Sequence, residues 1–228
     1  MNTTIQLLVE NIDAATRWTL SHQPVTRSAI LVKGNSRYLR AAEKKAKKLG
    51  LQIYETDNLY SLNASLGEVP VIVDSDLSGP VCGLTKERDP DNLCLIHTGM
   101  SCVAEAVYLA MECSGLLGPQ VCANIVLVGR GHAVKGLAER LLARDATVTV
   151  CHRKTKDIGK ILQPADIVVY CADTVGEDAF DKLAKKESVI FDVSGAVENV
   201  GLPVFTTAQD LGRLNISVLM RRIVTGRR

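Results

Sequence analysis

The stretch NIVLVGRGHAVKGLAERLL, residues 124–142, decides the fold of this 228-residue chain. It begins with a continuous apolar run that ends at Val128, which predicts a strand buried on both faces. Three glycines follow, and an amphipathic helical pattern comes after them; the glycines are Gly129, Gly131 and Gly136. Such glycines let the chain turn tightly and bring backbone N–H groups close to a pyrophosphate at the start of a helix. The stretch therefore predicts a strand–loop–helix unit that binds a dinucleotide.

The spacing in this loop departs from the strict G-x-G-x-x-G pattern, because Val134 stands where the third glycine is expected. An ordinary strand-to-helix turn of an α/β domain is the alternative interpretation of the same residues. If the loop binds a cofactor, we expect the contacts to come from Gly129, Arg130, Gly131, His132 and Val134.

A basic turn follows the next predicted strand, which ends at Cys151. An NAD site commonly carries Asp or Glu at this place to accept hydrogen bonds from the ribose. This chain instead has the run HRKTK at 152–156, whose cations and hydroxyl suit the additional ribose phosphate of NADP. A solvated basic loop is the alternative. The residues predicted to contact the cofactor here are His152, Arg153, Lys154 and Thr155.

Apolar runs rich in Val and Ile alternate with helical patterns along the chain, which predicts βαβ units. We predict an α/β fold with a doubly wound parallel sheet of Rossmann type and a smaller N-terminal α/β lobe. The Gly-rich segment SGLLGPQ, residues 114–120, marks the boundary between a substrate lobe at 1–117 and a dinucleotide-binding domain at 118–212. Strands are predicted at 28–32, 51–54, 69–73, 124–128, 146–151, 166–171 and 188–193, and helices at 38–49, 103–117, 134–144, 157–162 and 177–185.

The composition is that of an ordinary globular protein, since 46% of the residues are hydrophobic and 23% are charged. That balance supplies enough apolar material for a core and excludes a disordered chain. The 27 basic and 25 acidic residues give a net charge of +2, which is too small to indicate nucleic-acid binding. The lysine-rich segment 43–48 is interrupted by Glu43 and predicts a solvated helix face. We therefore predict no nucleic-acid partner.

Targeting and metal-binding signals are weak. The N-terminal stretch has no basic region, and Glu10 and Asp13 interrupt its apolar residues, so no signal peptide is predicted. No run approaches the roughly 20 apolar residues of a membrane span. The seven cysteines lack C-x-x-C spacing and are typical of reduced core cysteines in a cytoplasmic protein. A metal site of Cys94, His97 and Cys102 is the alternative, but it lacks a fourth ligand, and no metal is predicted.

Several segments together resemble a known family. VTVCHRKTKDI (148–158), QPADIVVYCADTVG (163–176) and SVIFDVSG (188–195) are similar to successive strands and turns of the bifunctional methylenetetrahydrofolate dehydrogenase/cyclohydrolases of one-carbon metabolism. AILVKGNSRYLRAAEKKAKKLGL (29–51) resembles the strand and helix that carry that family's catalytic Tyr and Lys. The resemblance implies NADP as cofactor, Cys171 and Ala172 as further cofactor contacts, and a folate-like small-molecule substrate. It also implies a homodimer and a C-terminal helix, within 213–228, that returns to the first lobe.

The chain departs from the family's pattern in the substrate half. Tyr38 matches the family's tyrosine, but the lysine expected four residues later is Ala42, and alanine cannot move a proton. Lys45, one helical turn further along the same face, is the candidate replacement. The family's Q-L-P-L-P segment is not recognisable near 71–79. Its D-V-D-G segment is expected near 80–83, where Cys82 would replace the carboxylate that grips the pterin.

These departures leave more than one function open. Tyr38 and Lys45 are the predicted catalytic residues of an NADP-dependent oxidoreductase that resembles methylenetetrahydrofolate dehydrogenase, with its cyclohydrolase activity in doubt. A non-catalytic, nucleotide-binding homologue with a regulatory or interaction role is the alternative. An imine or amino-acid oxidoreductase on the same scaffold is a third interpretation.

Overall fold

The structure is a computed structural model that packs as two compact units. One unit contains Met1–Gln6 and Gly99–Arg213, and we call it the glycine-loop unit; the other contains Leu7–Thr98 and Leu214–Arg228, and we call it the Tyr38 unit. The functional boundaries predicted at 117/118 and 212/213 stay predictions. The residues that the structure describes are 2–25, 27–32, 34, 36–57, 69–73, 84–85, 88–93, 99–118, 121–129, 131, 133–134, 136–172, 187–195, 197 and 201–226.

A parallel sheet forms the centre of the Tyr38 unit, with its strands in the order β2–β1–β3 among the described residues. The apolar face of this sheet packs as a cluster that includes Ile30, Val71 and Leu84. The elements in chain order are α1 (Thr3–His22), β1 (Ser28–Val32), α2 (Arg37–Lys48), β2 (Gln52–Thr56) and β3 (Val71–Ile72).

Helix α2 begins at Arg37, one residue before the predicted start, and buries the face that carries small residues. The side chain of Ser36 caps its first turn by accepting a hydrogen bond of 3.1 Å from the backbone N–H of Leu39. The spacing of Leu39, Ala42 and Ala46 places all three on one face of the helix, and all three are buried. Ala42, the residue at the family's lysine position, is therefore a packing residue of α2.

The glycine-loop unit contains a second parallel sheet, and its described strands have the order β5–β4–β6–β7–β8. All four residues of β6 are buried, as expected of a strand covered on both faces. The prediction of a parallel α/β fold is confirmed. The remaining elements are α3 (Cys102–Cys113), β4 (Asn124–Val128), α4 (Leu137–Leu142), β5 (Thr147–Cys151), α5 (Ile158–Leu162), β6 (Ile167–Tyr170), β7 (Val189–Asp192), β8 (Val204–Thr206) and α6 (Asp210–Thr225). The greater part of α6, from Leu214 onward, belongs to the Tyr38 unit.

Some elements differ from the prediction. Helix α4 begins at Leu137 rather than at residue 134, because Gly136 has a φ of 74° and this left-handed conformation interrupts the helical pattern. Helix α1 was not predicted, although it spans 20 residues, because it has few buried residues: Ile5, Ile12 and Thr16. Strand β8 was not predicted either, because it has only three residues and all of them are half-buried. The helix predicted at 177–185 lies outside the described residues.

Among the described helices, none is both long and apolar enough to cross a membrane.

Candidate functional site

Gly129 lies at the end of β4, between the ends of two neighbouring strands. Its backbone N–H donates a hydrogen bond of 2.8 Å to the carbonyl of Cys151. A Cβ atom placed on Gly129 would lie 3.1 Å from the Cβ of Cys171, and the φ of 131° is one that residues with side chains rarely adopt. Gly129 therefore allows the backbone to pass closely between β5 and β6.

The order of the strands reverses at β4, since β5 pairs with it on one side and β6 on the other. In open parallel sheets, ligands bind beyond the carboxyl ends of the strands at such a point. Gly129, His152 and Cys171 are the first residues beyond β4, β5 and β6. The structure thus brings residues from three predicted segments to one sheet edge, which we call the cofactor edge.

The loop after β4 is compact, and its glycines are not equivalent. The N–H of Val134 donates to the carbonyl of Gly131 at 3.1 Å, which closes a turn. A Cβ atom on Gly136 would lie 2.6 Å from the carbonyl carbon of Gly99, so glycine is required there. A Cβ atom on Gly131 would meet nothing within 4 Å. Two further predicted contacts, Arg130 and His132, lie outside the described residues.

The basic turn after β5 is closed by hydrogen bonds to His152. The backbone N–H of His152 donates to Thr155 Oγ1 at 2.9 Å, and the N–H of Thr155 donates to the carbonyl of His152 at 2.7 Å. Nδ1 of His152 accepts a hydrogen bond of 3.1 Å from the backbone N–H of Lys154. His152 and Thr155 therefore shape the turn, while Arg153 and Lys154 are exposed and carry its positive charge.

Cys171 contributes an uncharged side chain to the cofactor edge. Burial, and secondly the charge of Asp192, raise the pKa of the Cys171 thiol from 9.0 to about 12. The Asp192 carboxylate is almost completely buried and accepts hydrogen bonds of 2.8 Å from the hydroxyl of Ser194 and from the N–H of Gly195. The thiol of Cys171 is therefore protonated at neutral pH. The next residue, Ala172, is half-buried and also uncharged.

In the Tyr38 unit, the predicted tyrosine has a carboxylate partner that the sequence prediction missed. The hydroxyl of Tyr38 donates a hydrogen bond of 2.7 Å to Oδ2 of Asp91. Asp91 lies 53 positions along the chain, and only 8% of it is exposed. A carboxylate of this kind accepts hydrogen bonds strongly when ionised.

The turn that carries Asp91 is fixed by its own hydrogen bonds. Oδ1 of Asp89 accepts from the N–H of Leu93 at 2.9 Å, and the N–H of Asn92 donates to the carbonyl of Asp89 at 3.1 Å. The guanidinium of Arg222 donates to the carbonyl of Pro90 at 3.0 Å. These contacts hold the Asp91 backbone from both sides.

A sequence signal for this turn exists. Residues 89–92 read DPDN, with the D-x-D-G spacing, and Asn92 adopts the left-handed φ of 58° that glycine takes most readily. The sequence prediction instead placed this segment at 80–83, and Cys82 lies outside the described residues. Asn is one of the few residues that replace Gly in this conformation, so DPDN fits the geometry of a D-x-D-G turn. The placement of the family's segment near 80–83 stays a prediction.

The other predicted catalytic residue, Lys45, has a different partner. Its Nζ forms an ion pair with Asp13 of α1, and the two side chains are 21% and 13% exposed. Tyr38 and Lys45 thus lie on the same helix but contact different carboxylates. The catalytic role of Lys45 stays a prediction.

No metal centre is found in the described part of the chain, where no group of three or more His, Cys, Asp or Glu residues has a suitable arrangement. Cys94 and His97 of the alternative metal site are not among the described residues.

Comparison with known proteins decides the family. Residues 101–221 match the model of the tetrahydrofolate dehydrogenase/cyclohydrolase NAD(P)-binding domain. The chain is 33% identical over 196 residues to the bifunctional protein FolD of Thermosipho melanesiensis, and the match covers 72% of this chain and 69% of that protein. This chain belongs to the tetrahydrofolate dehydrogenase/cyclohydrolase family. The cofactor edge is therefore part of the family's NAD(P)-binding domain, and the resemblance inferred from the sequence is confirmed.

A second member of the family is similarly close. The bifunctional protein FolD of Pseudothermotoga lettingae is 34% identical over 199 residues, which cover 70% of this chain and 67% of that protein. The match to FolD of Thermosipho africanus covers 66% of that protein. The chain therefore matches about two thirds of the length of these relatives.

Solved structures have the same fold. A methylenetetrahydrofolate dehydrogenase of the silkworm Bombyx mori superposes with a TM-score of 0.72 at 19% identity, covering 95% of this chain and 94% of that chain. The dehydrogenase-cyclohydrolase of Trypanosoma brucei, solved with NADP and an inhibitor, gives a TM-score of 0.68 at 20% identity, covering 96% and 92%. At these identities the likeness establishes the fold.

Proposed function

We propose that this protein is an NADP-dependent methylenetetrahydrofolate dehydrogenase that lacks cyclohydrolase activity. The observation that carries the proposal is the cofactor edge, where Gly129, the basic turn and Cys171 meet at the reversal of strand order. This is where a dinucleotide binds in sheets of this type. NADP supplies a hydride acceptor when it is bound.

The basic turn supports NADP over NAD. Arg153 and Lys154 are exposed beyond the end of β5, where an NAD site would carry a carboxylate. The hydrogen bonds of His152 and Thr155 fix the backbone that carries these two cations. A ribose phosphate would gain charge-assisted hydrogen bonds from them, whereas the hydroxyl of NAD would gain little. The thiol of Cys171 is uncharged at neutral pH and adds no negative charge to the cofactor edge.

The Tyr38 unit supports a folate-like substrate. Asp89 and Asp91 are the buried carboxylates of the DPDN turn, and Asp91 contacts Tyr38 directly. Because the Asp89 carboxylate caps its own turn, Asp91 is the better candidate to accept N–H groups of a pterin.

The packing of α2 supports the loss of cyclohydrolase activity. Hydrolysis needs water attack and proton transfer, and Ala42 stands fully buried at the family's lysine position. Lys45 forms an ion pair with Asp13 instead. Hydride transfer mainly requires that the donor carbon and the nicotinamide be held close and aligned. An alanine at position 42 does not prevent this.

Calorimetric titration and turnover assays test the proposal. We expect the purified protein to bind NADP more tightly than NAD, to bind tetrahydrofolate, and to oxidise methylenetetrahydrofolate without accelerating hydrolysis of the methenyl product. Accelerated hydrolysis would contradict the loss of cyclohydrolase activity. Absence of folate binding would contradict the substrate.

A second candidate function is a non-catalytic, NADP-binding homologue with a regulatory role, and buried Ala42 is the observation that favours it. NADP binding with no oxidation of methylenetetrahydrofolate would support this candidate. The homodimer that the resemblance implies and the cytoplasmic location that the cysteine pattern indicates are also part of the proposal. Sedimentation velocity would test the dimer.

A further inference from the structure

Asp192 is a buried carboxylate at the carboxyl end of β7, and its hydrogen bonds come from uncharged groups. The residue is 1% exposed. Its Oδ1 accepts hydrogen bonds of 2.8 Å from the hydroxyl of Ser194 and from the backbone N–H of Gly195, and its Oδ2 accepts one of 3.1 Å from the N–H of Val197. Uncharged donors orient a carboxylate without cancelling its charge.

The negative charge of Asp192 acts on the cofactor edge. In the part of the chain that the structure describes, none of the ion pairs includes this carboxylate. After burial, the charge of Asp192 is the second cause of the raised pKa of the Cys171 thiol. Cys171 is the first residue beyond β6, which is the neighbour of β7 in the sheet. The field of the carboxylate therefore extends to the end of the next strand.

The order of the strands determines how a dinucleotide crosses this edge. β4 lies between β5 and β6, and β7 lies beyond β6. A cofactor whose ribose phosphate binds Arg153 and Lys154 has its adenosine half on the β5 side of Gly129. The pyrophosphate joins the two halves, so the nicotinamide half extends toward the ends of β6 and β7, where Asp192 lies.

The two redox states of the cofactor differ in charge only at the nicotinamide ring. The oxidised ring is a cation, and it becomes neutral when it accepts a hydride, which is one proton with two electrons. The phosphates are the same in both states, so the basic turn and the glycine loop do not distinguish them. A negative charge on the nicotinamide side of the edge does distinguish them, because it attracts the cationic ring alone.

We propose that Asp192 is a specificity-determining residue that makes the cofactor edge bind NADP more tightly than its reduced form, NADPH. This inference rests on the proposed function and adds to it the redox state that the site prefers. The same preference promotes release of NADPH after hydride transfer, because the attraction to Asp192 is lost when the ring becomes neutral.

The test compares the dissociation constants of NADP and NADPH, measured by calorimetry for the wild type and for Asp192→Asn. We expect the wild type to bind NADP more tightly, and the ratio of NADP affinity to NADPH affinity to fall about tenfold in the variant. A role of Asp192 confined to shaping the turn after β7 would weaken both affinities equally, and that result would overturn the inference.

Two matched controls separate charge from general damage. Ser194→Ala removes one hydrogen bond to the carboxylate and leaves its charge in place. Asp166→Asn removes a carboxylate at the opposite end of the same sheet, before β6, where its Oδ2 accepts a hydrogen bond of 2.7 Å from the N–H of Asn124. Both controls should keep the affinity ratio of the wild type. A tenfold fall in either control would show that the ratio does not report the charge of Asp192 and would overturn the inference.

The wild type alone keeps the inference testable if Asp192→Asn does not fold. NADPH binding that is as tight as NADP binding, or tighter, would overturn it. That result would leave the proposed function intact, because both redox states would still bind. Absence of binding by either form would contradict the proposed function and the inference together.

Discussion

The cofactor edge and the Tyr38–Asp91 region differ in how the chain builds them. At the cofactor edge and in its loop, the backbone conformation defines the site. Gly129 and Gly136 adopt positive φ values, and three strands end together. In the Tyr38 region, the decisive feature is a contact between two side chains that are 53 positions apart. The glycine loop has a recognisable pattern within one short stretch of sequence, although Gly129 and Gly136 pack against the distant residues Cys171 and Gly99. The side-chain pair has no such local pattern.

The substitution that we expect to destabilise the glycine loop most is Gly136→Ala. The new Cβ atom would lie 2.6 Å from the carbonyl carbon of Gly99, at a φ of 74°. We expect the free energy of unfolding, measured in urea, to fall by about 3 kcal/mol or more. Gly131→Ala is the control, because its Cβ would meet nothing within 4 Å, and it should change stability by less than about 1 kcal/mol. Equal effects would contradict this account of the loop.

The charge of the same region is tested by the double variant Arg153→Ala/Lys154→Ala. Removal of two cations that bind the ribose phosphate should weaken NADP binding about fiftyfold and NAD binding less than about threefold, as measured by calorimetry. Lys160→Ala is the control, because Lys160 is an exposed lysine that pairs with Asp157. Equal losses of affinity for NADP and NAD would show that Arg153 and Lys154 do not bind the ribose phosphate.

The raised pKa of the Cys171 thiol predicts how the free energy of unfolding depends on pH. The pKa of its thiol is raised to about 12 in the folded protein, so the unfolded chain loses this proton first as the pH rises above 9.0. The contribution is fully present below pH 9.0 and should be lost toward pH 12, at up to about 1.4 kcal/mol per pH unit. Urea unfolding between pH 8 and pH 10 should therefore show a steeper decline for the wild type than for Cys171→Ala, at the roughly 1.4 kcal/mol scale. Parallel curves would show that the thiol titrates normally.

The smallest effect concerns the ion pair of Lys45 and Asp13. A double-mutant cycle with Lys45→Met and Asp13→Asn should give a coupling free energy of about 1 kcal/mol, because both side chains are partly buried. The measurement is urea unfolding of the four proteins. Cyclohydrolase activity that is present in the wild type and lost in Lys45→Met would instead return Lys45 to a catalytic role.

Much of the glycine-loop unit was predicted from local sequence. The run at 124–128 is a strand with the predicted bounds, and the basic turn follows β5 as expected. The family and the parallel α/β fold also follow from contiguous segments. The prediction was less accurate where a single backbone angle matters, as at Gly136, which delays the start of α4.

The amino-acid sequence by itself determined the fold class, the family and the position of the cofactor loop. It could do so because apolar runs and the spacing of glycines are patterns that lie within short stretches of the chain. The tertiary structure alone decided that Tyr38 contacts Asp91 and that Lys45 contacts Asp13. The physical reason is that these hydrogen bonds join side chains 53 and 32 positions apart, whose meeting depends on the packing of whole elements and not on any local pattern.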